Sequence, residues 1–202
     1  AMGEDTVSRR IYTIVFKNLE TGDMLSDVLE NTTGGVTWAA DNKTVFYSQK
    51  DETLRSHKIF RHALGTPQSE DVLVYHEEDV TFSTFVYRSK SKKFILIGSG
   101  STLSSEYRYI DASQPLSSFI IFLPREHDHE YGVAHYQDNW YISTNWNAKN
   151  FRLMKTPVGK TSKDNWTEVI PHRDNVLLED LEIFNDYLED LISLQKLGNL
   201  HL

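Results

Sequence analysis

Apolar and polar residues alternate along this chain in bursts of about five to eight residues, separated by clusters of Gly, Pro, Asp, Asn and Ser. The bursts are rich in Val, Ile, Thr and aromatic side chains, a composition that predicts β-strands joined by turns. Val36-Thr37-Trp38-Ala39 is followed by the turn Ala40-Asp41-Asn42-Lys43 and then by Thr44 to Ser48. His57 to Leu64, a Gly65-Thr66-Pro67 turn and Asp71 to Tyr75 complete a four-strand set. The order returns with Phe82 to Tyr87, Lys93 to Ile97, Glu106 to Ile110 and Phe119 to Phe122. It returns again with Tyr131 to Tyr136, Trp140 to Thr144, Phe151 to Thr156 and Trp166 to Ile170, and Val176 to Phe184 opens a further unit. Ile11 to Asn18 and Met24 to Leu29, around the turn Glu20-Thr21-Gly22-Asp23, read as the last two strands of an earlier one.

The period is measurable. Second strands marked by Val45, Phe94, Trp140 and Tyr187 lie 49, 46 and 47 residues apart, and third strands marked by Ile59, Tyr107 and Phe151 lie 48 and 44 apart. Four antiparallel strands every forty-odd residues mark propeller blades. A β-sandwich also has many short strands, but not a four-strand repeat. The expected fold is therefore all-β, a piece of a β-propeller of about four blades. Blade-like units are expected at 34–79, 80–125 and 130–171, with partial units at 8–30 and 176–202. Residues 4–202 are assigned to this partial propeller, while Ala1-Met2-Gly3 reads as an expression scar.

Charge and composition narrow the partners. Lys and Arg total 21 against 29 Asp and Glu, a net charge of −8, which argues against nucleic acid, whose phosphates need clustered cations. No apolar run approaches the ~20 residues of a membrane span, and the N-terminus lacks the basic and apolar regions of a signal peptide. The absence of cysteine rules out disulfides, thiolate zinc sites and cysteine nucleophiles, and fits a cytoplasmic protein. Asn31-Thr32-Thr33, Asn42-Lys43-Thr44 and Asn165-Trp166-Thr167 satisfy the glycosylation pattern and read as chance.

Catalytic motifs are missing. Gly98-Ser99-Gly100-Ser101 lacks the spacing of a Gly-x-Ser-x-Gly elbow and reads as a loop between strands; no phosphate or dinucleotide loop occurs, so no cofactor is expected. His127 and His129, with His135 nearby, offer nitrogens to a divalent metal, but no third ligand follows at a diagnostic spacing, so a polar turn is the favoured reading and no metal site is assigned. Arg9-Arg10 and Arg61-His62 could hold carboxylates. Glu77-Glu78-Asp79 reads as a solvent-facing charge run, and Trp38, Trp140, Trp146 and Trp166 as blade packing.

Several strings carry a resemblance in order: Ser8-Arg9-Arg10-Ile11-Tyr12, Asn18-Leu19-Glu20-Thr21-Gly22, Arg61-His62-Ala63-Leu64-Gly65-Thr66-Pro67, Ser105-Glu106, Leu123-Pro124-Arg125, Asp128-His129-Glu130-Tyr131, His135-Tyr136-Gln137, Lys149-Asn150-Phe151 and Ile170-Pro171. Over residues 4–188 the chain resembles the N-terminal domain of the oligopeptidase B branch of the prolyl oligopeptidase family of serine peptidases. The resemblance implies a seven-bladed propeller joined to an α/β-hydrolase domain that carries the Ser, Asp and His triad. It also implies cleavage of short peptides after Lys or Arg, with the propeller gating access. No residue here matches the triad, so no catalytic residue is assigned. Beyond Asp186-Tyr187-Leu188 the family pattern runs through a longer strand and turn before a segment like Asp190-Leu191-Ile192-Ser193-Leu194; here the two pieces nearly adjoin, so residues are expected to be missing from that stretch or the lineage to differ. The expected partners are an oligopeptide substrate and the hydrolase domain. Arg9 and Arg10, just ahead of a strand, are the residues expected to contact them. The rival expectation is a free-standing propeller that binds other proteins.

Overall fold

A computed structural model describes residues 1–183 and 188–194. Among these there are sixteen strands, two single-turn 3-10 helices and no α-helix. Strands β1 (Met2–Glu4), β2 (Tyr12–Lys17), β3 (Met24–Trp38), β4 (Thr44–Lys50), β5 (Ser56–Ala63) and β6 (Val72–His76) follow one another in a single antiparallel sheet. The strands β7 (Ser83–Arg88), β8 (Phe94–Gly100), β9 (Ser105–Asp111) and β10 (Ile120–Leu123) make a four-stranded sheet in sequence order. So do β11 (Tyr131–Tyr136), β12 (Asn139–Thr144), β13 (Arg152–Pro157) and β14 (Thr167–Ile170). β15 (Val176–Ile183) pairs with β16 (Leu188–Leu194). The sequence marks Val45, Phe94 and Trp140 fall on β4, β8 and β12, while Phe184 and Tyr187 lie outside the described residues.

Burial follows position in the sheet. β8 is buried along six consecutive residues, so both of its faces are covered, whereas the outer strands β6 and β14 are mostly exposed. Hairpin turns recur with the repeat: Asn42 (φ 56°) and Lys92 (φ 61°) hold left-handed conformations between β3 and β4 and between β7 and β8. Each turn is tied by a side-chain oxygen, Asp41 accepting from the Lys43 and Thr44 amides and Ser89 from the Phe94 amide.

Two compact units are distinguished. The first comprises Ala1–Ser101 and Arg108–Ile121. In it Ala39, Phe46 and Ile59 pack against Ile95, Ile97, Ile110 and Ala112, with Val74, Tyr75, Val86 and Phe119 at the margin. A second cluster joins Ile14, Phe16 and Leu29 to Val45 and Tyr47. The other unit comprises Thr102–Tyr107 and the described residues from Phe122 onward. Its centre is Trp140, fully buried, with Phe122 edge-on at 5.6 Å and His135 at 5.1 Å.

Two local readings change. Met24–Leu29 and Val36–Trp38, expected in separate strands, belong to one 15-residue strand, β3, with Ala39 just past its end. Its first part pairs with β2 (Leu29 with Ile14) and its last with β4 (Val36 with Tyr47). The turn-like Asn31-Thr32-Thr33-Gly34-Gly35 between them is a kink: Asn31 (φ 57°) and Gly34 (φ 93°) bend the strand without ending it, and Gly34 lies against the Tyr12 ring where a Cβ would collide. Gly98-Ser99-Gly100, read as a loop, completes β8, because the Phe85 ring occupies the space of a Gly98 side chain. Residues 2–4 form β1 on β2, Gly3 opposite Ile14.

Candidate functional site

Arg9 and Arg10 sit on a loop organised by Asp5. Its carboxylate accepts from the amides of Val7, Arg9 and Arg10, the last at 2.7 Å. Desolvation works against the charged form, but the amides of Arg10, Arg9, Val7 and Ser8 outweigh it and hold the Asp5 carboxyl below its usual value. Ser8 (φ 55°) and Arg10 (φ 60°) are left-handed, and Lys50 Nζ donates to the Arg10 carbonyl at 2.5 Å. Both arginines are exposed, and neither guanidinium bonds to another of the described residues. The loop thus presents two cations, with Lys50 of β4 beside its backbone, on a chain of net charge −8.

Arg61 and His62, adjacent on β5, have opposite fates. His62 faces inward, fully buried, with Nδ1 2.6 Å from Asp71 Oδ1 and Nε2 3.2 Å from Asp27 Oδ1. Tyr47 donates its hydroxyl to Asp71 Oδ2 at 2.7 Å and accepts from Gln68 Nε2 at 3.2 Å, and the Gly65 amide donates to Asp27. Burial, together with the Asp71 carboxylate and against a hydrogen bond from Gln68, pushes the Tyr47 phenol far above its usual value. These bonds form one network across β3, β4 and β5. Its role is to fix β3, β5 and the start of β6.

Arg61 faces outward into a cleft of about 400 Å³ lined also by Val72, Leu73, Tyr75, Arg108 and Phe119. Arg61 lies opposite Val72 in the β5–β6 ladder, and its Nη1 donates to the Pro115 carbonyl at 3.2 Å. The Arg108 guanidinium stacks over the Tyr75 ring at 4.3 Å. A second, more open cleft of about 630 Å³ lies on the other side of the Gln114–Ser117 turn, against Asp41, Lys43 and Thr44. Arg108, Tyr75 and Phe119 were not distinguished by sequence reasoning; no motif marks them, since their proximity depends on the packing of β6 beside the β9–β10 connection.

The acidic run Glu77-Glu78-Asp79 is not wholly solvent-facing. Glu77 is buried, and its Oε2 accepts from the Tyr75 hydroxyl at 2.6 Å and from the Ser99 hydroxyl. Ser99 is thus a buried donor that shares the Glu77 carboxylate with Tyr75 inside the protein, out of reach of a substrate. Arg55 organises the same connection through the carbonyls of Glu77, Asp79 and Phe82.

The His127–His135 segment divides similarly. His127 is exposed and His129 buried, because Asp128 (φ 57°) between them breaks strand alternation. His129 Nε2 bonds the Thr144 hydroxyl at 2.9 Å, and its ring stacks on Tyr131 at 5.1 Å. Burial, with Lys163 nearby and only partly offset by Glu126, pushes His129 down to about 4. No three His, Asp or Glu side chains among the described residues are placed to hold a metal ion. Trp38 packs edge-on to Phe16 and Trp166 is buried, whereas Trp146 is half-exposed with Arg152 and Lys163 at 4.8 and 5.4 Å from its ring.

Comparison with known proteins places this geometry. A family described as "Prolyl oligopeptidase, N-terminal beta-propeller domain" matches residues 1–191. Dipeptidyl aminopeptidase BI of Pseudoxanthomonas mexicana is 44% identical over 189 residues, covering 93% of this chain and 26% of that protein. Protease 2 of Moraxella lacunata is 35% identical over 179 residues, covering 88% of this chain and 26% of the relative. Oligopeptidase B from Leishmania major superposes with a TM-score of 0.88 at 31% identity, over 95% of this chain and 27% of that one. The chain thus spans about a quarter of the length of the relatives it matches.

Proposed function

From the premise that this chain belongs to the prolyl oligopeptidase N-terminal β-propeller family, we propose that it is the non-catalytic propeller of a serine peptidase. The acyl-transfer chemistry of a Ser nucleophile, His base and orienting Asp would reside in a separate α/β-hydrolase domain. The family match over residues 1–191 carries this reading. The propeller's part is to exclude folded proteins and admit short peptides. Blades stacked through continuous apolar cores, such as the Phe46–Ile97 cluster, give the stiffness that a size filter needs. On this reading the protein is cytoplasmic and cleaves after Lys or Arg, as the resemblance to the oligopeptidase B branch suggests.

The 44% identity to a protein named dipeptidyl aminopeptidase BI favours a second reading, release of dipeptides from free N-termini. The full gene product, assayed on N-blocked and N-free peptides with an internal Arg or Lys, separates the two. Cleavage of the blocked peptide after the basic residue supports the first; dipeptide release confined to the free peptide supports the second. A product without peptidase activity or an encoded hydrolase domain would overturn both in favour of a protein-binding scaffold.

Arg9 and Arg10 would then contact the peptide or the hydrolase domain, because their guanidiniums stand free on a rigid loop. Charge reversal at each should raise KM or lower kcat in the full gene product; unchanged kinetics for both would remove that role.

A further inference from the structure

The cleft beside β6 has features that the peptidase reading does not use. Its lining includes two guanidiniums and no carboxylate, although the chain carries a net charge of −8. Arg61 makes one hydrogen bond, to a carbonyl, which leaves the rest of its planar fork available; it has no carboxylate partner among the described residues. Its walls carry exposed apolar side chains: Val72, beside Arg61 on the same face of the sheet, is 45% exposed and Leu116 76%. Isolated exposed apolar residues are ordinary, but Val72, on the Arg61 face of the sheet, and Leu116 line the same cationic cleft, as at a binding surface. β6 is also the last strand of its sheet, with β5 its only ladder partner among the described residues. Its outer edge is therefore open to a further extended segment.

We propose that this cleft binds an extended peptide segment in which an Asp or Glu alternates with apolar residues. The β6 edge would supply main-chain hydrogen bonds, Arg61 would take the carboxylate through its fork, and Val72 and Leu116 would cover the apolar side chains. Arg108 would add positive potential from its position over Tyr75. The volume of about 400 Å³ lies within the roughly 300–1,000 Å³ typical of ligand clefts. Inorganic phosphate could satisfy the Arg61 guanidinium but would leave the apolar walls wet. A basic peptide would match the overall charge of the chain but not the charge of this cleft. The proposal is independent of the peptidase assignment.

The test uses the full gene product, with a serine-peptidase inhibitor present, and fluorescein-labelled peptides of the pattern Val-Glu-Val-Glu-Val, with Gln and Lys in place of Glu as comparisons. Anisotropy should show the Glu peptide binding at least tenfold tighter than the Gln peptide and the Lys peptide not binding. Because the net charge repels acidic peptides in general, such a preference requires a local cationic site. Arg61→Ala should weaken the Glu peptide about tenfold, as expected for loss of a charge-assisted hydrogen bond of ~1.4 kcal/mol. Leu116→Glu changes an exposed rim residue without touching the core and should weaken it similarly, so a folding defect at Arg61 would not decide the matter. Equal binding of Glu and Gln peptides, indifference to Leu116→Glu, or full competition by millimolar inorganic phosphate would overturn the proposal. Concentration-dependent dimerisation abolished by Leu116→Glu, without peptide binding, would also overturn it in favour of a second copy as occupant.

Discussion

Removing the Tyr47 hydroxyl isolates the buried network around His62. In Tyr47→Phe the ring can keep its place stacked on Phe60 at 5.6 Å and its packing in the Ile14–Leu29 cluster, so the apolar contribution is conserved. What disappears is the 2.7 Å hydrogen bond to Asp71 Oδ2 and the acceptor for Gln68 Nε2. The Asp71 side chain is 2% exposed, so water cannot readily replace the lost donor. A hydrogen bond to a charged group contributes about 1.5–3 kcal/mol, and a buried acceptor left short of a partner draws on the upper part of that range. Gln68 keeps its bonds to the Glu30 backbone, which limits the damage on its side. The expected loss is therefore about 2 kcal/mol, a fall in Tm of roughly 4–8 °C for a chain of this size. Urea unfolding by circular dichroism measures it, and amide exchange of β4 and β5 should locate the loss in the unit that contains them. A loss below about 0.5 kcal/mol, or one spread evenly into β11–β13, would refute the view that this network secures β3 to β5 and β6.

Three further outcomes follow from the same geometry. The His129 ring protons should titrate with a midpoint of about 4 by NMR. Because the folded value is depressed below the ordinary 6.5, its stabilising contribution is complete above pH 6.5. It is lost as pH falls toward 4, by at most roughly 3 kcal/mol, and His129→Phe should flatten that limb of the pH–stability curve. Ile97→Ala empties a fully buried site between Phe46 and Ile59 and should cost about 3 kcal/mol, read as a lower urea midpoint at unchanged slope. Asn150→Ala removes two Nδ2 hydrogen bonds, to the carbonyls of Arg173 and Asp174; a loss of about 2 kcal/mol is expected, with faster exchange of the Leu178 amide, which bonds the Asn150 carbonyl.

The fold was legible where its determinants are local. The hydrophobic period and the turn residues repeat, so Val45, Phe94 and Trp140 could be assigned to equivalent strands, and Asn42 and Lys92 hold equivalent turn positions. The errors share one cause. Asn31 to Gly35 and Gly98 to Gly100 carry residues that usually end strands, yet Tyr12 and Phe85 pack over Gly34 and Gly98 and make continuation possible. Glu77 looks like part of a solvated charge run until Tyr75 and Ser99, the latter 22 residues on, supply its donors. In each case at least one deciding partner, Tyr12, Phe85 or Ser99, comes from another strand, and a pattern read along one strand does not contain it.

Arg61 and His62 show most sharply how function depends on that missing information. Both could hold carboxylates, and as neighbours on a strand they must face opposite ways. The ladder sets His62 opposite Val45 and Arg61 opposite Phe46 on β4, and Arg61 opposite Val72 on β6. This register gives His62 to the core, where Asp27 and Asp71, 35 and 9 residues distant, close around it. It gives Arg61 to the cleft, where Pro115 offers only a carbonyl. A register shifted by one residue would bury the guanidinium against Asp27 and Asp71 and expose the imidazole. The two substitutions should therefore separate cleanly: His62→Ala lowers stability because it strips partners from two buried carboxylates, whereas Arg61→Ala leaves stability nearly unchanged and acts on binding at the cleft. Comparable destabilisation by both would place Arg61 in the structural network and remove the physical basis for a carboxylate site beside β6.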